Sequence, residues 1–90
     1  MGNEFFTVNA QPNQLQGARL GMSVAVRTMG SAVARNRLRR MIRESFRLHQ
    51  SLVPPWDIVV GVRATARAAA PAVLRASLEQ LWHKLLRASS

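Results

Sequence analysis

Six arginines crowd into a short span of this chain: Arg35, Arg37, Arg39, Arg40, Arg43 and Arg47. They lie in residues 32–50, AVARNRLRRMIRESFRLHQ, where Glu44 is the only acid. A guanidinium is a planar fork of donors that grips phosphate bidentately and stacks on bases, so the chemistry on offer is recognition of a polyanion. On a helix advancing about 100° per residue, Arg35, Arg39, Arg43, Asn36, Arg47 and Arg40 follow one another around one continuous face. Ala34, Leu38, Met41, Ile42, Ser45 and Leu48 take the opposite side, Phe46 falls at the seam between Arg35 and Arg39, and Arg37 lies on the far flank. Solvated charged faces usually mix signs. This one would repel itself unless an anion lay against it, and nucleic acid is the leading candidate.

Other chemistries find little support. Without cysteine there is no disulfide, thiolate nucleophile or Cys-based zinc site. His49 and His83 stand apart in the sequence, too few for a protein-only metal site. Ser23, Ser31, Ser45 and Ser51 lack a His and Asp pattern that would activate one of them. Glu4, Glu44, Asp57 and Glu79 fall on different elements, so no carboxylate pair for acid–base work is expected. No glycine-rich phosphate loop occurs. Thirteen basic residues against 4 acids give +9, and every basic side chain but Lys84 is arginine. The 48% hydrophobic content argues against disorder. No apolar run is long enough to span a membrane and the start lacks a signal-peptide pattern, so a cytoplasmic protein with no membrane role is expected.

The arginine helix needs elements to lie on. Ninety residues suit one small domain. Residues 5–10 (FFTVNA) are predicted as a strand with Phe6 and Val8 on one face, and 11–17 as a turn-rich link. Residues 19–26 form a second strand, with Leu20, Met22, Val24 and Val26 on one side and Arg19, Gly21, Ser23 and Ala25 on the other. These two strands are expected to be antiparallel neighbours. Residues 27–31 turn the chain into the helix, with Ser31 as N-cap and Gly30 giving the turn its freedom. Pro54 and Pro55 forbid its continuation past 52 or 53. Asp57 opens a third strand, 58–63, apolar enough for a central position. Strand, helix and strand make a crossover unit with the second and third strands parallel. After a loop or frayed turn at 65–70, Pro71 starts a last helix to about 87. Its Leu74, Leu78, Leu81, Trp82 and Leu85 face the sheet, and Trp56 caps the core edge.

The run Arg35-Asn36-Arg37-Leu38-Arg39-Arg40, followed by Met41-Ile42-Arg43-Glu44-Ser45-Phe46-Arg47, resembles the signature helix of the bacterial ribonuclease P protein component. The resemblance extends upstream through residues 19–25 (RLGMSVA) and downstream through 52–54, 57–60 (DIVV) and 78–82 (LEQLW). It implies an α/β (α+β) two-layer sandwich, ribosomal-protein-S5-domain-2-like, with a left-handed βαβ crossover through the arginine helix; general handedness rules favour the right-handed form. It further implies an RNA-binding subunit that assists a catalytic RNA in endonucleolytic removal of the 5′ leader from precursor tRNA. The partners would be that RNA and precursor tRNA, with Mg2+ bound mainly by the RNA subunit and no obligate protein partner. Carried over by position, Arg35, Asn36, Arg37, Arg39, Arg40, Arg43 and Arg47, with Arg27, are the RNA-binding set. Phe6, Arg19 and Ser23 are the leader-cleft set.

Two departures from the family pattern stand out. Its members usually begin with an extra helix and strand, so this single domain over 1–90 is expected to be N-terminally shortened, with an incomplete leader cleft. The turn after the second strand is commonly a lysine pair, and here it holds Val26 and Arg27. A structural RNA-binding protein of ribosomal type is the alternative, with similar electrostatics and no cleavage role. A DNA-binding module is less favoured, because no tight helix-turn-helix pair precedes the arginine helix. Within the RNA reading, Arg39 and Arg43 should outweigh Arg75 and Arg87, which lie outside the motif.

Overall fold

A computed structural model describes residues 1–89. The chain runs β1 (Phe6–Pro12), β2 (Arg19–Ser23), a four-residue helix α1 (Val26–Met29), α2 (Ala32–His49), a 3-10 turn (Gln50–Leu52), β3 (Trp56–Val62), a second 3-10 turn (Ala64–Ala68) and α3 (Pro71–Ser89). Both long helices pack on one face of a three-stranded sheet, giving the two-layer α/β arrangement. No helix among the described residues is long and apolar enough to cross a membrane.

The sheet order is β1-β3-β2, with β3 antiparallel to β1 and parallel to β2. The expected pairing of β1 with β2 is therefore wrong, because β3 lies between them. The reason is burial: Ile58 and Val60 of β3 are fully enclosed, and the central position satisfies both edges of the most apolar strand. The link at residues 13–18 can reach roughly 20 Å when extended, ample for the roughly 10 Å across two strand spacings.

β2 also ends earlier than the alternation implies. Val24 turns inward and is buried, whereas Val26 opens α1 and is exposed. That single turn tucks Met29 into the core. Gly30, at φ 85°, then reverses the chain in the left-handed region that glycine adopts freely. Ser31 caps α2, its Oγ accepting from the Ala34 amide at 3.1 Å. At the other end α2 tightens into the 3-10 turn before Pro54 and Pro55.

The core joins Phe6 and Val8 of β1, Ile58 and Val60 of β3, Leu38, Ile42 and Phe46 of α2, and Leu74, Leu78, Leu81, Trp82 and Leu85 of α3. Trp82 is completely buried and donates its indole N–H to Ser45 Oγ at 2.7 Å. Its ring meets Phe46 edge-on at 5.8 Å between centroids. Trp56 packs at the core margin, as expected.

Candidate nucleic-acid interface

α2 buries Leu38, Ile42, Ser45 and Phe46. That sector is rotated from the one the apolar pattern marks. Phe46 belongs to the core because Trp82 and the sheet offer its ring more enclosed surface than solvent does. Leu48, expected underneath, is 72% exposed. The rotation leaves Arg35 and Arg39 half-buried at the core margin, while Asn36, Arg37, Arg40, Arg43 and Arg47 are exposed. Arg35 Nε is enclosed without a hydrogen-bond partner within the described residues.

The charge on this face is uncompensated. Among the described residues the ion pairs are Arg19–Asp57 and the contacts of Glu79 with His49 and His83, so none of the six α2 arginines is paired with a carboxylate. Glu44 shares a shallow groove of about 230 Å³ with Arg37, Arg40, Met41, Pro71 and Arg75 but forms no ion pair there. Arg75 of α3 is therefore a neighbour of the face and not a remote arginine, as its position outside the motif implies. Arg27 is exposed on α1, and the Arg67 guanidinium lies against Gly30 just before α2. Any Cβ at Gly30 would collide with that guanidinium. Arg67 was missed because its alanine-rich surroundings carry no motif. Only the fold brings the turn at Ala64–Ala68 beside α1.

The outer face of the sheet is the second exposed surface. Cross-strand register sets Thr7, Gly61 and Ser23 in one row, Asn9, Val59 and Gly21 in the next, and Gln11, Asp57 and Arg19 in the third. Gly61 is required here, since a Cβ would overlap the Thr7 hydroxyl. Arg19 and Ser23 are exposed on this face, as the alternation predicts. Phe6 is not. Its side chain points into the core with no exposed surface, because period-two alternation puts it beside Val8 under the helices, so it is removed from the leader-cleft set. Arg19 donates to both oxygens of Asp57, at 2.7 and 2.8 Å. Those two hydrogen bonds, with another from Asn13, lower the Asp57 pKa from 3.8 to about 2. A groove of about 340 Å³ runs over Arg19, Gly21 and Val59.

The family model described as ribonuclease P matches residues 1–86. The chain belongs to the ribonuclease P protein family. It is 45% identical over 80 residues to the ribonuclease P protein component of Halorhodospira halophila, spanning 89% of this chain and 66% of that protein. With the component from Aliivibrio fischeri it shares 38% over 88 residues, spanning 98% and 75%. Among solved structures, the ribonuclease P protein of Staphylococcus aureus superposes with a TM-score of 0.85 at 33% identity, covering all of this chain and 79% of that one. The two-layer fold is thus the ribonuclease P protein fold.

One further cluster escapes a sequence reading. His49 and His83, far apart in the chain, converge on Glu79 where the end of α2 meets α3. This corrects the expectation that the histidines are isolated. The signal was present only as Glu79 and His83 at i, i+4 on one helix.

Proposed function

We propose that this chain is the RNA-binding protein subunit of ribonuclease P, assisting a catalytic RNA in removing the 5′ leader from precursor tRNA. One observation carries the reading: in a chain of this family, α2 presents a face of arginines none of which forms an ion pair with a carboxylate among the described residues. Arg37, Arg40, Arg43 and Arg47, flanked by Arg27 and by the margin residues Arg35 and Arg39, dock on phosphates of the folded RNA. Asn36, neutral on the same face, bonds an RNA group or holds a neighbouring arginine.

The outer sheet face receives the extended leader. Gly21 and Ser23 let a strand of nucleic acid approach closely, and Arg19, already neutralised by Asp57, contributes shape and donors more than net charge. The four acidic side chains lie on separate segments, so the described residues offer no oxygen cage of the sort a hard cation prefers. Magnesium ions therefore belong mainly to the RNA subunit, where they activate water and neutralise charge. The reading assigns the chain to the cytoplasm, with no obligate protein partner.

The test is reconstitution. Added to protein-free catalytic RNA and precursor tRNA, the chain should lower the magnesium concentration needed for cleavage at the mature 5′ end. Protein rigorously freed of RNA should cut nothing there. Binding to the RNA without any change in magnesium requirement would favour a purely structural RNA-binding protein.

A further inference from the structure

His49 closes α2, and Glu79 and His83 stand one turn apart on α3, projecting toward it. His49 Nε2 lies 3.1 Å from Glu79 Oε2, and His83 Nε2 lies 3.8 Å from the same oxygen. All three donor atoms fall within 4.8 Å of one another. On its other side, His49 Nδ1 is 3.0 Å from the backbone carbonyl of Ser45. A carbonyl oxygen only accepts, so Nδ1 carries a hydrogen and Nε2 is the ring nitrogen aimed at the carboxylate.

His83 stands 3.8 Å from the same oxygen, too long for a hydrogen bond, and is brought there by its i, i+4 spacing from Glu79. The two imidazole rings stand edge to face, with centroids 6.0 Å apart. A metal ion would engage all three groups at once. Ligands held about 2.0–2.1 Å from a tetrahedral zinc stand roughly 3.3 Å from each other; the two distances to Glu79 lie on either side of that value, and the two histidine nitrogens would close to it on binding.

We infer that His49, Glu79 and His83 form a binding site for zinc or a chemically similar transition-metal ion, stapling the end of the arginine helix to α3. The supporting structure is of the kind metal-bound histidines use: a backbone carbonyl fixes the tautomer and aims Nε2. Ser45, which supplies that carbonyl, is anchored in turn by the Trp82 indole at 2.7 Å. His83 is largely exposed, which leaves the remaining coordination position open to water. Two imidazoles and one carboxylate suit zinc and its neighbours, whereas magnesium prefers an all-oxygen shell.

The experiment uses the whole chain, stripped with a chelator and titrated with Zn2+ against a chromophoric competitor, with thermal melts in parallel. One equivalent of Zn2+ should bind with micromolar or tighter affinity and raise the melting temperature by several degrees, while millimolar Mg2+ does neither. His83→Ala alters a mostly exposed ring, so its circular dichroism should match the parent. Its Zn2+ affinity should fall by at least about tenfold, the loss expected even for an outer-shell partner, and its thermal shift should vanish. Glu79→Gln should weaken binding likewise. The site is refuted if the parent chain binds no Zn2+ at micromolar concentration, if His83→Ala binds as tightly as the parent, or if Mg2+ reproduces the shift.

Discussion

On α2, six guanidiniums stand without a carboxylate partner among the described residues, whereas Arg19 on the outer sheet face is clasped by both oxygens of Asp57. Both surfaces are exposed and both carry arginine, but they present different fields. The helix keeps a concentrated positive potential that only an anion relieves. The sheet has cancelled its charge and offers a shallow surface of small residues around Gly21, Ser23 and Gly61. Contact with the helix should therefore depend steeply on salt and little on sequence, and contact with the sheet should depend on shape and hydrogen bonding.

The largest expected effect reaches both regions at once, since they share one core. Ile42 is completely buried between α2 and the sheet, and Ile42→Ala should cost about 2–5 kcal/mol through lost burial and the cavity left behind. A melting curve unchanged within error would mean that α2 does not rest on the sheet through this residue. Smaller, and confined to the helix, is Arg39→Lys. It keeps the charge and loses the fork, so affinity for the catalytic RNA should fall between those of the parent and Arg39→Ala; full recovery by lysine would indicate a diffuse contact.

On the sheet side, Ser23→Glu should weaken discrimination between precursor tRNA with a leader and mature tRNA, measured in the complex with the RNA subunit. Affinity for that RNA alone should stay close to the parent's. Loss of both together would erase the distinction between the two surfaces. The smallest effect concerns Asp57. Its folded pKa of about 2 lies below the ordinary 3.8, so its stabilising contribution is complete above 3.8 and is lost as pH falls through about 2. Because the pair is exposed, Asp57→Asn should barely move the melting temperature between pH 5 and 8, but should steepen the salt dependence of leader binding by freeing Arg19.

Much of this was legible in the sequence because local rules and the fold agree. Ser31, Gly30, Pro54 and Pro71 punctuate the helices where their chemistry predicts, and the α3 stripe from Leu74 to Leu85 is buried throughout. The misses are tertiary. Helical periodicity locates an apolar sector only to within a residue or so, and the pull of Trp82 on Phe46 decided its final rotation. Strand order escaped local reading because the link at 13–18 permits either arrangement, and burial of β3 settles it. Arg67, Arg75 and the His49–Glu79–His83 cluster depend on contacts between distant segments, which spacing within one element cannot report.

The unpaired arginine face is tested most directly by salt titration of binding to the catalytic RNA for the parent, Arg43→Ala and Lys84→Ala. Lys84 is a suitable control, exposed on α3 and about 140° around that helix from Glu79, which faces α2. If about six phosphates are neutralised, log affinity should fall with log salt at a slope near −4 on single-strand-like backbone and about −5 with the duplex coefficient. Arg43→Ala should reduce that slope's magnitude by somewhat less than about 1 and weaken binding across RNA sequences, and Lys84→Ala should leave both unchanged. A slope near zero, or equal losses from Arg43→Ala and Lys84→Ala, would contradict the assignment of α2 as the docking surface.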